Sequence, residues 1–200
     1  MRTLRHLTLT IAAIAAVNLS NSQAQAFSEG TNVLGVGVGI GGAYSGIGFS
    51  GSSVSQTPAI GLHFDHGMGD LGPGTWGLGG YLGYKKLSYD ETFNFGNTFN
   101  YDYSWTYLIV GARGSWHYND WHANDKLDTY GGLMLAYNAV TYKDNTKYPQ
   151  GFNNTYSYSG SSIGLSLFLG TRYFFSENIG AFAEVGYGVA TLQLGLAAKL

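Results

Sequence analysis

The sequence predicts an all-β protein, an eight-stranded antiparallel up-and-down transmembrane β-barrel. Charged residues make up only 11% of the chain, whereas glycine occurs 31 times and aromatic residues account for 16%. A soluble domain carries about 25% charged residues, so much of this surface is expected not to face water. Short segments alternate polar or glycine residues with apolar ones, and after the amino terminus none is long and apolar enough for a membrane helix. Because lipid offers the backbone no hydrogen-bond partners, such a protein has to close its sheet into a barrel.

The amino terminus has the pattern of a secretory signal peptide, expected to cover residues 1–26. Two arginines are followed by an apolar stretch over Leu7–Val17, and Ala24–Ala26 is a small-x-small cleavage site. We therefore expect the outer-membrane β-barrel domain to be residues 27–200, with the mature chain beginning near Phe27. The apolar stretch is shorter than the roughly 20 residues of a spanning helix. An uncleaved membrane anchor is the alternative.

Eight segments with the two-residue period of a strand then follow one another, separated by turns rich in Gly, Asn and Asp. In the first, Leu34, Val36 and Val38 alternate with glycines. An even number of strands places both chain ends on the periplasmic side, as in most bacterial barrels. The predicted segments are Thr31–Gly41, Pro58–His66, Thr75–Leu87, Tyr103–Tyr118, Leu127–Tyr142, Ser161–Phe174, Ile179–Gly188 and Thr191–Leu200.

The last segment has one aliphatic face, which carries Leu192, Leu194 and Leu196, and one polar face with Gln193. A chain that ends within such a strand has to pair its edge, because an open edge recruits other chains. Closure against the first segment is the expected solution.

The connections between the segments are predicted to alternate between short and long. Short turns inside and long loops outside are typical of outer-membrane barrels. The very tight connection at Gly188–Ala190 departs from this rule. The predicted periplasmic turns are Gly67–Gly74, Asn119–Lys126 and Phe175–Asn178, and the predicted external loops are Gly42–Gln56, Ser88–Asp102 and Lys143–Gly160.

The fourth segment contains a conflict of register. Its aromatic residues at 101, 103, 105 and 107 share parity with Arg113, so strict alternation places four aromatic side chains inside the barrel. A bulge near Tyr107 would instead move them to the outer face. Of these two, an inner aromatic cluster is the favoured interpretation.

The ionisable residues of the segments fall on the glycine-containing face. Arg or Lys facing lipid costs roughly 2–4 kcal/mol at mid-membrane, so this face is predicted to be the interior. An eight-stranded barrel is just wide enough for side chains to fill it, which predicts a packed ion-pair network. A selectivity filter is the alternative, and a soluble sandwich would instead place the charged face in water. The predicted lumen charge network consists of Lys85, Arg113, Arg172, Glu184, Lys199 and Asp128.

No pattern predicts an enzyme, a metal site or a cofactor. His63, Asp65 and His117 also fall on the interior face, where we expect polar residues near the periplasmic mouth rather than converging metal ligands. The chain has no cysteine, which excludes thiol chemistry, and no serine lies in a recognisable nucleophile motif. With 12 acidic against 10 basic residues, the chain has no basic patch for nucleic acid.

Three stretches resemble a known family. Gly111–Tyr118, Gly170–Phe175 and Gly180–Gly188 are similar to strands of the small outer-membrane β-barrel family common in Bacteroidetes, whose members are often labelled porin-like. The resemblance implies an outer-membrane location and an eight-stranded barrel, but no agreed reaction.

The last strand also resembles the signal that the barrel assembly machinery reads, through Gln193, Gly195, Ala198 and Leu200. That pattern prefers aromatic residues where Ala198 and Leu200 stand. The expected partners are therefore the assembly machinery and the outer-membrane lipid.

The predicted role is that of a monomeric outer-membrane protein with a filled polar lumen and a structural or surface-interaction function. Two external segments rich in Asn and aromatic residues, Phe93–Tyr101 and Gly151–Tyr158, are candidates for binding an extracellular ligand. Extended hairpins built from strand-forming aromatics would explain the same composition. A narrow porin-like channel and a secreted soluble barrel with an apolar ligand inside are the alternative functions.

Overall fold

The structure is a computed structural model that describes residues 26–42, 54–95, 97–146 and 156–200. These residues form one antiparallel sheet, whose strands arise where apolar residues alternate with glycine or polar residues. No helix among them is long and apolar enough to cross a membrane. The strands are β1 (Asn32–Ile40), β2 (Val54–Gln56), β3 (Ala59–Leu71), β4 (Gly74–Phe95), β5 (Asn97–His117), β6 (Leu127–Asp144), β7 (Ser157–Phe174), β8 (Ile179–Tyr187) and β9 (Leu192–Lys199).

The sheet closes on itself as an antiparallel barrel. From β3 to β9 each strand pairs with the next along the chain, β1 pairs with β3, and β9 returns to pair with β1. The closing ladder matches Val36 with Leu196 and Gly37 with Gly195. The short strand β2 lies on β4 beyond the end of β3, so the ring itself has eight strands. The predicted all-β, up-and-down barrel fold is therefore confirmed.

The walls of the barrel differ in height. Strands β4 to β7 have 18 to 22 residues, whereas β1, β8 and β9 have eight or nine. We call the end where β1 begins and β9 ends the proximal mouth, and the opposite end, where β4 and β5 meet, the distal mouth. The tall distal wall formed by β4 to β7 rises on one side of the distal mouth.

Several predicted connections are strand instead. The predicted loop Ser88–Asp102 is wrong, because β4 and β5 continue as a paired hairpin to the Phe95–Asn97 pair. Strand β3 likewise extends to Leu71, which reduces the predicted turn Gly67–Gly74 to positions 72 and 73. Cross-strand pairing outweighs the local turn signals at both places. Within the predicted external loops, residues 43–53 and 147–155 lie outside the described residues.

The register settles which way the aromatic residues of β5 face. The β4–β5 ladder runs without a shift from Thr75 and His117 to Phe95 and Asn97, so residues of one parity in β5 stay on the face of Arg113. Tyr107 is accordingly buried inside the barrel. The ladder therefore favours the inner aromatic cluster over a bulge in β5.

The barrel is apolar outside and charged inside. Aliphatic side chains such as Val38, Leu135 and Leu196 are more than half exposed on the outer face (53%, 59% and 57%). Arg113 and Arg172 are among the most buried side chains of the described residues. This polarity is the reverse of a water-soluble sheet packing, and it does not fit a soluble barrel with the aliphatic face inside.

Glycines on the inner face make room for large side chains. A Cβ added at Gly61 would lie 2.7 Å from Nε2 of Gln193, and one at Gly195 would lie 2.5 Å from the Phe182 ring. Because interiors are close-packed, such contacts show that the wall is shaped around its contents.

Candidate functional site

The centre of the lumen is an ion-pair network organised around Asp65 of β3. Nε of Arg113 on β5 lies 2.9 Å from Oδ1 of Asp65, and Nη2 of Arg172 on β7 contacts the other carboxylate oxygen. All three side chains are buried, at 2% exposure or less. Buried charges of this kind are stable only when they are paired.

Two further carboxylates complete the pairing of the arginines. Arg113 donates from Nη2 to Oε1 of Glu184 over 2.7 Å, and Nη1 of Arg172 lies 3.4 Å from Oδ2 of Asp128. The Tyr130 hydroxyl also donates to Glu184 over 2.9 Å. Strands β3, β5, β6, β7 and β8 are therefore tied together across the lumen.

Aromatic faces cover the guanidinium groups. Arg113 lies 4.0 Å from the centre of the Phe168 ring, and Arg172 lies 4.2 Å from that of Tyr130. Such cation–π contacts are strongest where the charge is desolvated, and both guanidinium groups are buried.

His117 links the network to the proximal mouth. Its Nδ1 donates to Oδ1 of Asp128 over 2.8 Å, and its Nε2 lies 2.9 Å from the Ser115 hydroxyl. Asn119 donates from its side-chain amide to the same oxygen of Asp128 over 3.2 Å. The carboxylate of Asp128 is therefore held from three directions.

The structure brings four of the six predicted network residues together and separates the two lysines. Arg113, Arg172, Glu184 and Asp128 form the network. Lys85 is buried near the distal mouth, where Nζ donates to the carbonyl oxygen of Gly41 over 2.5 Å. The Nζ of Lys199 lies 4.3 Å from the centre of the Phe174 ring, near the proximal mouth. Alternation predicts that these side chains point inward, but it contains no information on height in the barrel.

The three polar residues predicted for the periplasmic mouth have different positions. Asp65 is the hub of the network, and His117 joins it through Asp128. His63 is buried with its ring edge-on to Phe182, with a centroid distance of 4.7 Å. Among the described residues, no group of three or more His, Asp or Glu is arranged to hold a metal ion.

Sequence reasoning missed several contributors to the site, among them Phe27, Asn119 and Tyr130. Tyr130 lies two residues after Asp128 and therefore on the same inward face of β6, so the alternation of side chains could have identified it. Asn119 lies in a predicted turn, and Phe27 precedes the first strand, so alternation gives no signal for either.

Two apolar layers enclose the network. The distal layer contains Leu87, Tyr107, Ile109 and Val189, and the proximal layer contains Phe27, Val33, Phe174, Phe182 and Ala197. Between the network and the distal layer, Glu184, Gln193 and Ser166 line a cavity of about 40 Å³. A water molecule needs roughly 10–15 Å³ on this measure, so the cavity has room for only a few.

A row of aromatic residues crosses the inner face of the tall distal wall. The ring centres of Tyr89 and Tyr103 lie 6.0 Å apart, and those of Tyr103 and Tyr142 are separated by the same distance. The ring centres of Tyr142 and Tyr158 lie 5.3 Å apart. Trp105 adjoins Tyr142 at 5.4 Å. Of the predicted contact segments, residues 151–155 lie outside the described residues, and the side chains of residues 93–100 are not described.

The residues of the predicted assembly signal all lie on β9 or directly after it. Gln193 and Gly195 are on the inner face, while Ala198 and Leu200 are on the outer face. Their recognition by an assembly machinery stays a prediction.

Comparisons with known proteins give weak similarities in structure alone. No protein-family model matches the chain, and no curated protein matches it in sequence. The N-terminal β-barrel domain of Pseudomonas aeruginosa OprF has a TM-score of 0.48 at 13% identity, covering 87% of this chain and 100% of that one. Ail, the attachment invasion locus protein of Yersinia pestis, was crystallised with the heparin analogue sucrose octasulfate. It has a TM-score of 0.45 at 16% identity, covering 86% of this chain and 95% of that one. Because both TM-scores are below 0.5, the fold assignment rests on the strand pairing.

Proposed function

We propose that this chain is an integral outer-membrane β-barrel whose lumen is a packed structural core and whose tall distal wall is its interaction surface. It is exported with removal of residues 1–26, inserted by the barrel assembly machinery and active as a monomer. The observation that carries the proposal is the inverted polarity of the barrel, which is aliphatic outside and ion-paired inside.

The outer face supports insertion in a lipid bilayer. Exposed aliphatic residues cover the middle of the wall, and tyrosine or tryptophan lies toward its ends, with Trp116 and Tyr173 proximal and Tyr84 and Tyr137 distal. Aromatic girdles flanking an apolar band are typical of transmembrane barrels. In this orientation the proximal mouth is periplasmic and the distal mouth extracellular.

The lumen supports a structural core rather than a channel. Each arginine of the network is paired with two carboxylates, and apolar layers cover the network at both ends. Ion conduction needs a continuous polar path, whereas among the described residues buried, ion-paired side chains fill the centre of the lumen.

The tall distal wall supports a role in surface contact. Tyr158 is 49% exposed and Tyr156 is 63% exposed, at the distal end of the aromatic row. Tyrosine supplies rigid contact area together with a hydrogen-bonding hydroxyl, which suits a binding surface.

The experiment that tests membrane insertion compares boiled and unboiled samples of the outer-membrane fraction by SDS gel electrophoresis. We expect the chain in that fraction and a change of mobility on heating, because a closed membrane barrel resists SDS until it is heated. A chain that is found in the soluble periplasmic or secreted fraction and shows no mobility change would contradict the proposal.

Orientation is tested with single cysteines, since the protein has none of its own. Ser159→Cys on the distal wall should react with a membrane-impermeant maleimide on intact cells. Ser176→Cys, which is exposed in the proximal turn, should react only after the cells are opened. The reverse pattern would place the tall wall in the periplasm and exclude it as a cell-surface contact.

A further inference from the structure

The residues before β1 turn back into the proximal mouth of the barrel. Ala26 and Phe27 have no exposed surface, although they precede the first strand. Gly67 of β3 fixes the turn that follows them, since its N–H donates to the Thr31 carbonyl oxygen over 2.9 Å. Its own carbonyl oxygen accepts from Gly30 over 2.9 Å. The path of the chain into the lumen is therefore set by paired backbone groups.

The Phe27 side chain is closely packed within this mouth. Its ring stacks on His117 with a centroid distance of 3.7 Å and an interplanar angle of 11°. It also packs in the proximal layer with Val33 and Phe174. A Cβ added at Gly77, on the neighbouring strand β4, would lie 3.3 Å from the Phe27 ring, so the absence of a side chain there leaves space for the ring.

The charged groups near this position are close to balanced. The network beyond Phe27 places the carboxylates of Asp65, Asp128 and Glu184 against two guanidinium groups, and the Lys199 ammonium lies at the same mouth, on the Phe174 ring. His117, on which Phe27 stacks, is hydrogen-bonded to Asp128. The Phe27 ring therefore lies between a paired network and the proximal mouth.

We propose that the proximal mouth is a binding site for the processed amino terminus of the chain itself, with Phe27 as the terminal residue that seals it. Hydrolysis of the Ala26–Phe27 peptide bond by water leaves a carboxylate on Ala26 and an ammonium group on Phe27. The lumen beyond Phe27 is filled by His117 and the network, so the Phe27 ring closes the proximal mouth below them. This inference rests on the proposed export of the protein.

The seal is tested with a single cysteine placed behind it. Ser115 is 6% exposed and lies beside His117, on the lumen side of Phe27. In membranes that contain full-length Ser115→Cys protein, we expect slow labelling by a maleimide. Adding Phe27→Ala removes the ring pair between Phe27 and His117 and should speed labelling roughly tenfold. A stacked aromatic pair contributes about 1.4 kcal/mol, which corresponds to a factor of ten in the fraction of open mouths. Phe175→Ala, which removes an exposed ring in the nearby turn, is the matched control and should leave the rate unchanged.

The intact mass of the same purified protein tests the processing. We expect a mature chain that begins at Phe27. A mature chain that retains residues before Phe27, or equal labelling rates with and without the Phe27 ring, would overturn the inference. Membrane fractionation and heat-dependent gel mobility report on the proposed function independently, so failure of one proposal is distinguishable from failure of the other.

Discussion

At the scale of single residues, the lumen shows how a barrel with a polar interior remains stable. Moving a charge out of water costs several kcal/mol, and mutual attraction offsets that cost only when the geometry is good and the remaining hydrogen bonds are made. Asp65 meets this condition by forming ion pairs with both arginines, while Glu184 and Asp128 each form an ion pair with one. Loss of any one member therefore leaves at least one buried charge with fewer partners.

Arg172→Met tests the strength of this coupling. Removing the guanidinium leaves Asp65 and Asp128 less well paired, and breaking a buried pair costs about 3–5 kcal/mol. The free energy of unfolding, measured by urea titration in phospholipid vesicles, should fall by that amount. Lys143→Met, at an exposed position of β6, is the matched control and should change stability by less than about 0.5 kcal/mol.

The same variant allows a test of non-additivity. Adding Asp128→Asn to Arg172→Met removes a charge that the first substitution left buried, so part of the lost stability should return. A double variant that is less stable than the sum of the two single losses would show that the network is not held by charge pairing.

At the scale of strands, alternation of glycine with apolar residues predicts most of the architecture. It gives the eight ring strands, the inner and outer faces, and the turns at 119–126 and 175–178. It does not predict the length of the β4–β5 hairpin, because Asn and Gly residues near position 96 resemble a loop in isolation. Strand β6 continues to Asp144 and pairs there with Tyr103 of β5. This pairing keeps β5 in the sheet beyond the point where the local sequence resembles a loop.

The charge network could be predicted only in part, for a related reason. A period of two assigns a side chain to a face, whereas partners across the lumen depend on strand tilt and stagger. Asp65 and Arg172 are 107 positions apart in sequence, and their contact follows from closure of the ring. Lys85 is assigned to the correct face by the same pattern, yet it binds a backbone carbonyl.

Gly35 on β1 tests the shaping of the inner wall. A Cβ at this position would come within 3.0 Å of the His63 ring, so Gly35→Ala forces that buried ring to move. Overpacking of this kind costs about 1–3 kcal/mol. Gly114→Ala on β5 is the control, since its Cβ would have no atom within 4 Å. Equal unfolding free energies for the two variants would show that the lumen is not close-packed around His63.

At the scale of the whole molecule, the outer wall has to match a bilayer. Leu167 and Ser161 lie on the same outward face of β7, with Leu167 within the apolar band and Ser161 above it. Leu167→Arg should destabilise the folded protein in vesicles by about 2–4 kcal/mol, whereas Ser161→Arg should cost no more than about 1 kcal/mol. If the two variants are equally stable in vesicles, the band does not face lipid.

Ion conduction distinguishes a sealed core from a channel. Because Arg113 is paired with Asp65 and Glu184 between two apolar layers, the intact protein should show no steady conductance in planar bilayers. Arg113→Ala should mainly lower the temperature at which gel mobility changes, since it leaves two carboxylates without this partner. Steady conductance in the intact protein, with an ion preference that Arg113→Ala alters, would instead identify Arg113 as part of a selectivity filter. The two readouts separate because a filter residue acts on passing ions, whereas a core residue acts on the strands that it joins.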